Sequence, residues 1–175
     1  MIALGRQEQW YVDSAELMLR PKVLGEGGFG VVLAGEYHGS PVAVKANKLD
    51  LGDMDRNSKN DRLMSFLNEL RILRRLRHPN VVLILGACLN AELADVSIVL
   101  ERVFGKTLEE IILKGDKDNV QLQPCDRLRA LTDISRALRY IHSREPPIVH
   151  GDLKASNIIA EQVPGLSGFR RMKLL

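Results

Sequence analysis

Gly25, Gly27 and Gly30 stand between two β-rich runs, and that placement constrains the fold more than any other feature of the sequence. Val31-Val32-Leu33 follows the glycines at once. Gly39-Ser40-Pro41 then supplies a tight turn, and Val42-Ala43-Val44 a further strand. Glycines at this spacing let a backbone come close to phosphate oxygens and adopt conformations barred to other residues. Dinucleotide-binding folds share the spacing, but there the glycines open a helix. Here they predict a strand, a loop and a strand. A plain glycine-rich hairpin has the same local pattern, so the neighbouring elements must decide between the two.

Residues 50–60 are polar and predict a loop. Leu63, Phe66, Leu67, Leu70, Leu73 and Leu76 recur at helical spacing, and His78-Pro79-Asn80 ends that helix because proline cannot continue it. Residues 81–86 and 96–101 predict two further strands, and the charged stretch 114–119 comes before a second helix. Its buried face is expected at Leu128, Leu131, Ile134, Leu138 and Ile141, with Pro146-Pro147 beyond its end. Five short strands with one inserted helix, followed by helices, predict an α+β chain in which a small sheet-rich lobe leads into a helical one.

At 175 residues the chain has room for one domain or part of a larger one. No apolar run approaches the roughly 18 residues that span a bilayer. The first residues carry no sustained apolar core after a basic segment, so no secretory signal is expected. Cys88 and Cys125 lack metal-like or redox-like spacing, which points to a reducing compartment, the cytosol or nucleus, and to a cytoplasmic protein. Much of the basic excess behind the net charge of +3 lies in Arg71, Arg74, Arg75, Arg77 and His78. Without interleaved aromatics this reads as the solvated face of a helix, and no nucleic-acid partner is expected.

Three residue groups carry chemistry. Lys45 closes Val42-Ala43-Val44-Lys45, where an ammonium can neutralise phosphate charge. Glu69 lies between Phe66 and Leu73 at the edge of the first helix's apolar face. A carboxylate pointing toward the sheet needs a cation, and Lys45 is the natural one. His150-Gly151-Asp152-Leu153-Lys154-Ala155-Ser156-Asn157 fits H-x-D-L-x-x-x-N, in which the aspartate accepts a hydroxyl proton and the asparagine ligates Mg²⁺.

Taken in order, these elements resemble the eukaryotic protein kinase family, from about Leu19 to Leu175. His78 to Cys88 and Trp10 to Leu17 are similar to the tyrosine-kinase-like group, which includes Raf-like and mixed-lineage kinases and is mostly serine/threonine-specific. The resemblance implies an N-terminal extension over 1–18, an N-lobe and hinge over 19–103, and the start of a helical C-lobe with the catalytic loop over 104–175. It implies ATP and Mg²⁺ as cofactors and protein hydroxyls as substrate. Gly25, Gly27 and Gly30 would cover the phosphates, Leu24 would belong to the ATP site, and Val32 and Ala43 would line the adenine pocket. Leu100 would be the gatekeeper and Glu101 to Val103 the hinge. Lys45 would pair with Glu69, Asp152 would be the base, Lys154 would hold the transferred phosphate, and Asn157 would bind metal.

Two departures stand out. Gly151 replaces the arginine that normally precedes the catalytic aspartate and latches a phosphorylated loop. Residues 172–175 read like the strand before D-F-G, and the sequence ends there, so the C-lobe is expected to be incomplete and the 175-residue chain nearly inactive alone. The rival expectation is a non-catalytic, pseudokinase-like module that binds ATP or a partner kinase. An uncovered apolar helix face would also attract a chaperone.

Overall fold

The structure, a computed structural model, describes residues 2–27, 30–47, 64, 68, 70–90, 95–114, 123–162 and 169–175. It divides into two compact units, Met1–Leu76 with Leu83–Arg102, and Arg77–Val82 with Val103–Leu175.

The first unit opens with α1 (Ile2–Gln7) and a short 3-10 turn, Ser14–Glu16, which Asp13 caps by accepting the Ala15 N–H. β1 (Leu17–Gly27), β2 (Gly30–Tyr37), β3 (Ser40–Asn47), β4 (Ile84–Asn90) and β5 (Asp95–Glu101) form an antiparallel five-stranded sheet in the order β1-β2-β3-β5-β4. The hairpin between β1 and β2 is as expected, but the glycines lie in its strands rather than in a loop between them: Gly25 and Gly27 are in β1, Gly30 opens β2, and Gly27 with Gly30 is the last pair. A helix, α2, includes Met64, Asn68 and residues 70–73. The predicted loop at 50–60, together with Leu63, Phe66, Leu67 and Glu69, lies outside the described residues.

Alternation along β3 and β5 divides the sheet into two faces. Val42, Val44 and Val99 point one way and pack with Val12. Lys45 pairs with Val32 and Ile98, and Ala43 with Ala34 and Leu100, so these six residues share the other face. Val96 and Ile98 cluster there with Trp10, Leu70 and Ala87, which seats α2 on the Lys45 face. Each large apolar side chain so buried contributes about 1.5–3 kcal/mol.

The second unit contains β6 (Gly105–Thr107), α3 (Leu108–Lys114), α4 (Pro124–His142), a 3-10 turn at Ala155–Asn157, β7 (Ile158–Glu161) and β8 (Arg171–Leu174). The strands pair antiparallel in the order β6-β7-β8, and Ile111, Ala130, Ala137, Ile158, Met172 and Leu174 belong to its core.

Three further sequence expectations need correction. The strand expected over 81–86 begins only at Ile84. Residues 80–82 are instead zipped to β8: Leu174 donates to the Asn80 carbonyl at 2.9 Å, Val82 donates to the Leu174 carbonyl at 2.8 Å, and the buried Asn80 amide donates to the Met172 carbonyl at 2.8 Å. β6 and α3 were not anticipated, although Thr107 and Glu110 form a reciprocal cap at the start of α3.

The expected face of α4 holds at Ile141, which is buried, and at Ile134 and Leu138, which pack against the core, but not at its first turns. Leu128 and Leu131 are 67% and 70% exposed, whereas Asp126, Ala130, Asp133, Ala137 and Ile141 are buried. Alanines at 130 and 137 let the helix lie close to its neighbours. Asp133 turns inward because its carboxylate accepts the Met172 N–H at 2.9 Å, a buried donor that is costly to leave unpaired.

Candidate active site

The candidate residues fall into two groups, one in each unit. In the first unit, Val32, Ala43, Lys45 and Leu100 lie on one sheet face, with Gly25 paired to Val32 at the mouth of the hairpin. Leu24 and Lys45 are half-buried. The glycine hairpin therefore ends beside the strand position opposite Lys45. Glu69 lies outside the described residues, but its chain neighbour Leu70 is 2% exposed in the cluster on this same face. Glu101 spends its side chain locally. Its carboxylate accepts the Leu83 N–H at 2.8 Å, while its backbone N–H donates to the Leu83 carbonyl at 2.9 Å.

In the second unit, Val103 is 6% exposed, and Asp152, Lys154 and Asn157 converge in one loop. Lys154 Nζ lies 2.8 Å from Asp152 Oδ2. Asn157 Nδ2 donates to the same oxygen at 2.9 Å and to the Asp152 backbone carbonyl at 2.8 Å. The 3-10 turn at Ala155–Asn157 brings the amide back onto the aspartate. Hydrogen bonds from Lys154 and then Asn157 hold the Asp152 carboxyl below its usual range, so it is ionised at neutral pH.

His150 has a part that its place in the sequence motif does not specify. Its Nδ1 accepts the Asp152 N–H at 3.3 Å, which puts the ring proton on Nε2, 2.7 Å from the Leu175 carbonyl oxygen. The imidazole thus ties the loop to the end of β8. Gly151 adopts φ +76°, with open space where a Cβ would stand. Arginine there costs about 1–2 kcal/mol in backbone strain, so restoring the family's residue would also perturb the backbone before Asp152.

The loop's chemistry fits a hard cation. Asn157 uses its Nδ2 on Asp152, and its Oδ1 is an oxygen of the kind Mg²⁺ takes, usually with few protein ligands and with phosphate oxygens completing the shell. Among the described residues no group of three or more His, Cys, Asp or Glu is placed to hold a metal by itself.

Because Lys154 and Asn157 lower the Asp152 carboxyl, removing either should let it rise toward the ordinary carboxylate range. A carboxylate acting as a base would do so when ionised, so activity that depends on Asp152 would be lost as pH falls through that value. Lys154→Met should therefore move the acid limb of the kcat/KM profile to higher pH, checked in a chain that includes the D-F-G segment. An acid limb that stays in place would show that Lys154 does not set the carboxylate.

One unit thus carries a glycine hairpin and a strand lysine, and the other a loop that cradles an aspartate, the elements on which the sequence resembles a protein kinase. Comparison with known proteins agrees: residues 19–169 match the family described as "Protein kinase domain". The chain belongs to the protein kinase family. It is 37% identical over 147 residues to "Serine/threonine-protein kinase CTR1" of Arabidopsis thaliana, covering 84% of this chain and 17% of that protein. It is 37% identical over 155 residues to "Probable serine/threonine-protein kinase SIS8" of the same plant, covering 86% and 14%. The figure is 33% over 162 residues for "Probable serine/threonine-protein kinase drkD" of Dictyostelium discoideum, covering 92% and 12%. The chain thus spans less than a fifth of the length of these relatives, and they agree with its likeness to the Raf-like group. Protein kinases generally use ATP and Mg²⁺ and act on protein substrates. No described helix is long and apolar enough to cross a membrane.

Proposed function

We propose that this chain supplies the ATP-binding and catalytic-loop residues of a kinase that transfers the γ-phosphoryl group of ATP to serine or threonine hydroxyls in proteins. The observation that carries the reading is the Asp152 carboxylate, fixed and kept ionised by Lys154 and Asn157. The substrate hydroxyl attacks the γ-phosphorus, ADP leaves, and the hydroxyl proton passes to Asp152. Lys154 neutralises the transferred phosphoryl group, and Asn157 ligates Mg²⁺. The Gly25, Gly27 and Gly30 backbone covers the phosphates, Leu24 belongs to the ATP site, Lys45 neutralises the α- and β-phosphates, and Glu69 holds Lys45. Val32, Ala43 and Leu100 line the adenine site. The backbone of Glu101 to Val103 hydrogen-bonds the base, a role that suits Glu101 because its carboxylate is engaged at Leu83. Cys88 and Cys125 are free thiols, which supports a cytoplasmic setting.

A double-mutant cycle tests the nucleotide half. Lys45→Met and Glu69→Ala should each weaken ATP binding in calorimetric titration, and the double variant should lose less than the two losses summed. Strict additivity would remove the ion pair from the reading. The non-catalytic alternative predicts ATP or partner binding with no phosphoserine or phosphothreonine formed by a chain that continues through D-F-G.

A further inference from the structure

The residues before β1 form a strap along the β4 edge of the first sheet. Ala87 donates its N–H to the Trp10 carbonyl at 2.8 Å and accepts the Val12 N–H at 2.9 Å, which makes a parallel bridge at Tyr11. Trp10 and Val12 are 1% and 2% exposed. The sequence makes room for this: a Cβ on Gly86 would stand 2.5 Å from the Trp10 carbonyl oxygen and 2.9 Å from the Val12 side chain.

The strap then reaches α2 twice. The Trp10 indole packs in one cluster with Leu70. Glu8 binds on both sides: one carboxylate oxygen accepts the Trp10 Nε1–H at 2.9 Å, and the other is ion-paired with Arg71. Burial acts to raise the Glu8 carboxyl, but hydrogen bonds from Arg71 and Trp10 hold it below its ordinary range, so the bridge is charged at neutral pH. Leu70 and Arg71 directly follow Glu69 in the chain.

We infer that the strap is a clamp on α2 and that Glu8 is a positioning residue: by tying Trp10 to Arg71 it fixes the helical residues 70–73, which directly follow Glu69 in the sequence, and so sets nucleotide affinity. The clamp stands on the contacts alone; its effect on the nucleotide rests on the role proposed above for Lys45 and Glu69. A charge-assisted bridge of this kind lowers the population of locally opened states without altering elements outside its reach.

Glu8→Gln keeps the side chain's size and removes its charge. In the 175-residue chain, amide exchange over residues 70–76 should quicken about three- to tenfold, while β7 and β8 keep their rates. Emission of Trp10, the sole tryptophan, should shift to the red, and ATP should bind more weakly. Glu8→Arg combined with Arg71→Glu should recover most of the protection that either single change loses. Gly86→Ala acts on the strap's seat and should give the same exchange signature. Unchanged exchange over 70–76 in both Glu8→Gln and Gly86→Ala overturns the clamp. Faster exchange with unchanged ATP affinity, in a protein where Lys45→Met does weaken ATP, overturns the link to the nucleotide. If Lys45→Met also leaves ATP binding unchanged, the nucleotide assignment is at fault, and the faster exchange still upholds the clamp.

Discussion

Asp152→Asn should lower phosphoryl transfer by about two to four powers of ten and leave ATP affinity nearly unchanged, measured in a chain that includes the D-F-G segment. The replacement is nearly isosteric, so the loop should keep its shape. Asn157 still donates to the backbone carbonyl of residue 152, and the residue 152 N–H still reaches His150 Nδ1. What disappears is the negative charge that Lys154 and Asn157 stabilise, and with it the ability to take the hydroxyl proton. Removing one positioned base is worth about 1.4 kcal/mol of barrier per tenfold in rate. The loss should therefore fall on kcat, with little change in KM for ATP. Turnover within a few-fold of the parent would remove Asp152 from the chemistry and leave the loop as a structural turn.

The parts of this molecule written in local pattern could be read from the sequence, and the parts decided by distant partners could not. The glycine hairpin, Lys45 at its strand position and the octet from His150 to Asn157 are short-range statements, and backbone geometry alone nearly dictates them. The register that puts Val32, Ala43, Lys45 and Leu100 on one face follows from strand alternation once the strands are paired. The buried stripe of α4 followed only over its later turns, at Ile134, Leu138 and Ile141. Leucines at 128 and 131 look like core by periodicity, yet the helix turns Asp133 inward to satisfy the Met172 N–H, a need created 39 residues away. For the same reason the strand at 81–86 shifted: Asn80 and Val82 bond to β8 before the chain can join β4. Trp10 could be recognised as part of a family-like phrase, but nothing near it in sequence showed that Glu8 would reach Arg71.

Trp10→Ala should be the most destabilising single change in the first unit, about 3–5 kcal/mol. Whole domains have only about 5–15 kcal/mol to lose. The indole is 1% exposed and fills a cluster whose other members are Leu70, Ala87 and Val96. Removing it leaves a gap that its neighbours cannot close. Ala87 has no reach, Val96 is held in the β4–β5 register opposite Leu89, and the strap backbone is pinned to Ala87 on both sides. The change also strands the Glu8 carboxylate, which loses the indole donor and keeps only Arg71. Trp10→Phe separates the two effects: it refills most of the volume but not the hydrogen bond, so it should cost clearly less than alanine. Because Trp10 is the only tryptophan, urea unfolding of all three proteins should be followed by far-ultraviolet circular dichroism rather than by fluorescence. A loss below about 0.5 kcal/mol for alanine, the range of ordinary surface changes, would mean that the strap does not pack against α2 and that the buried indole contributes nothing to holding it.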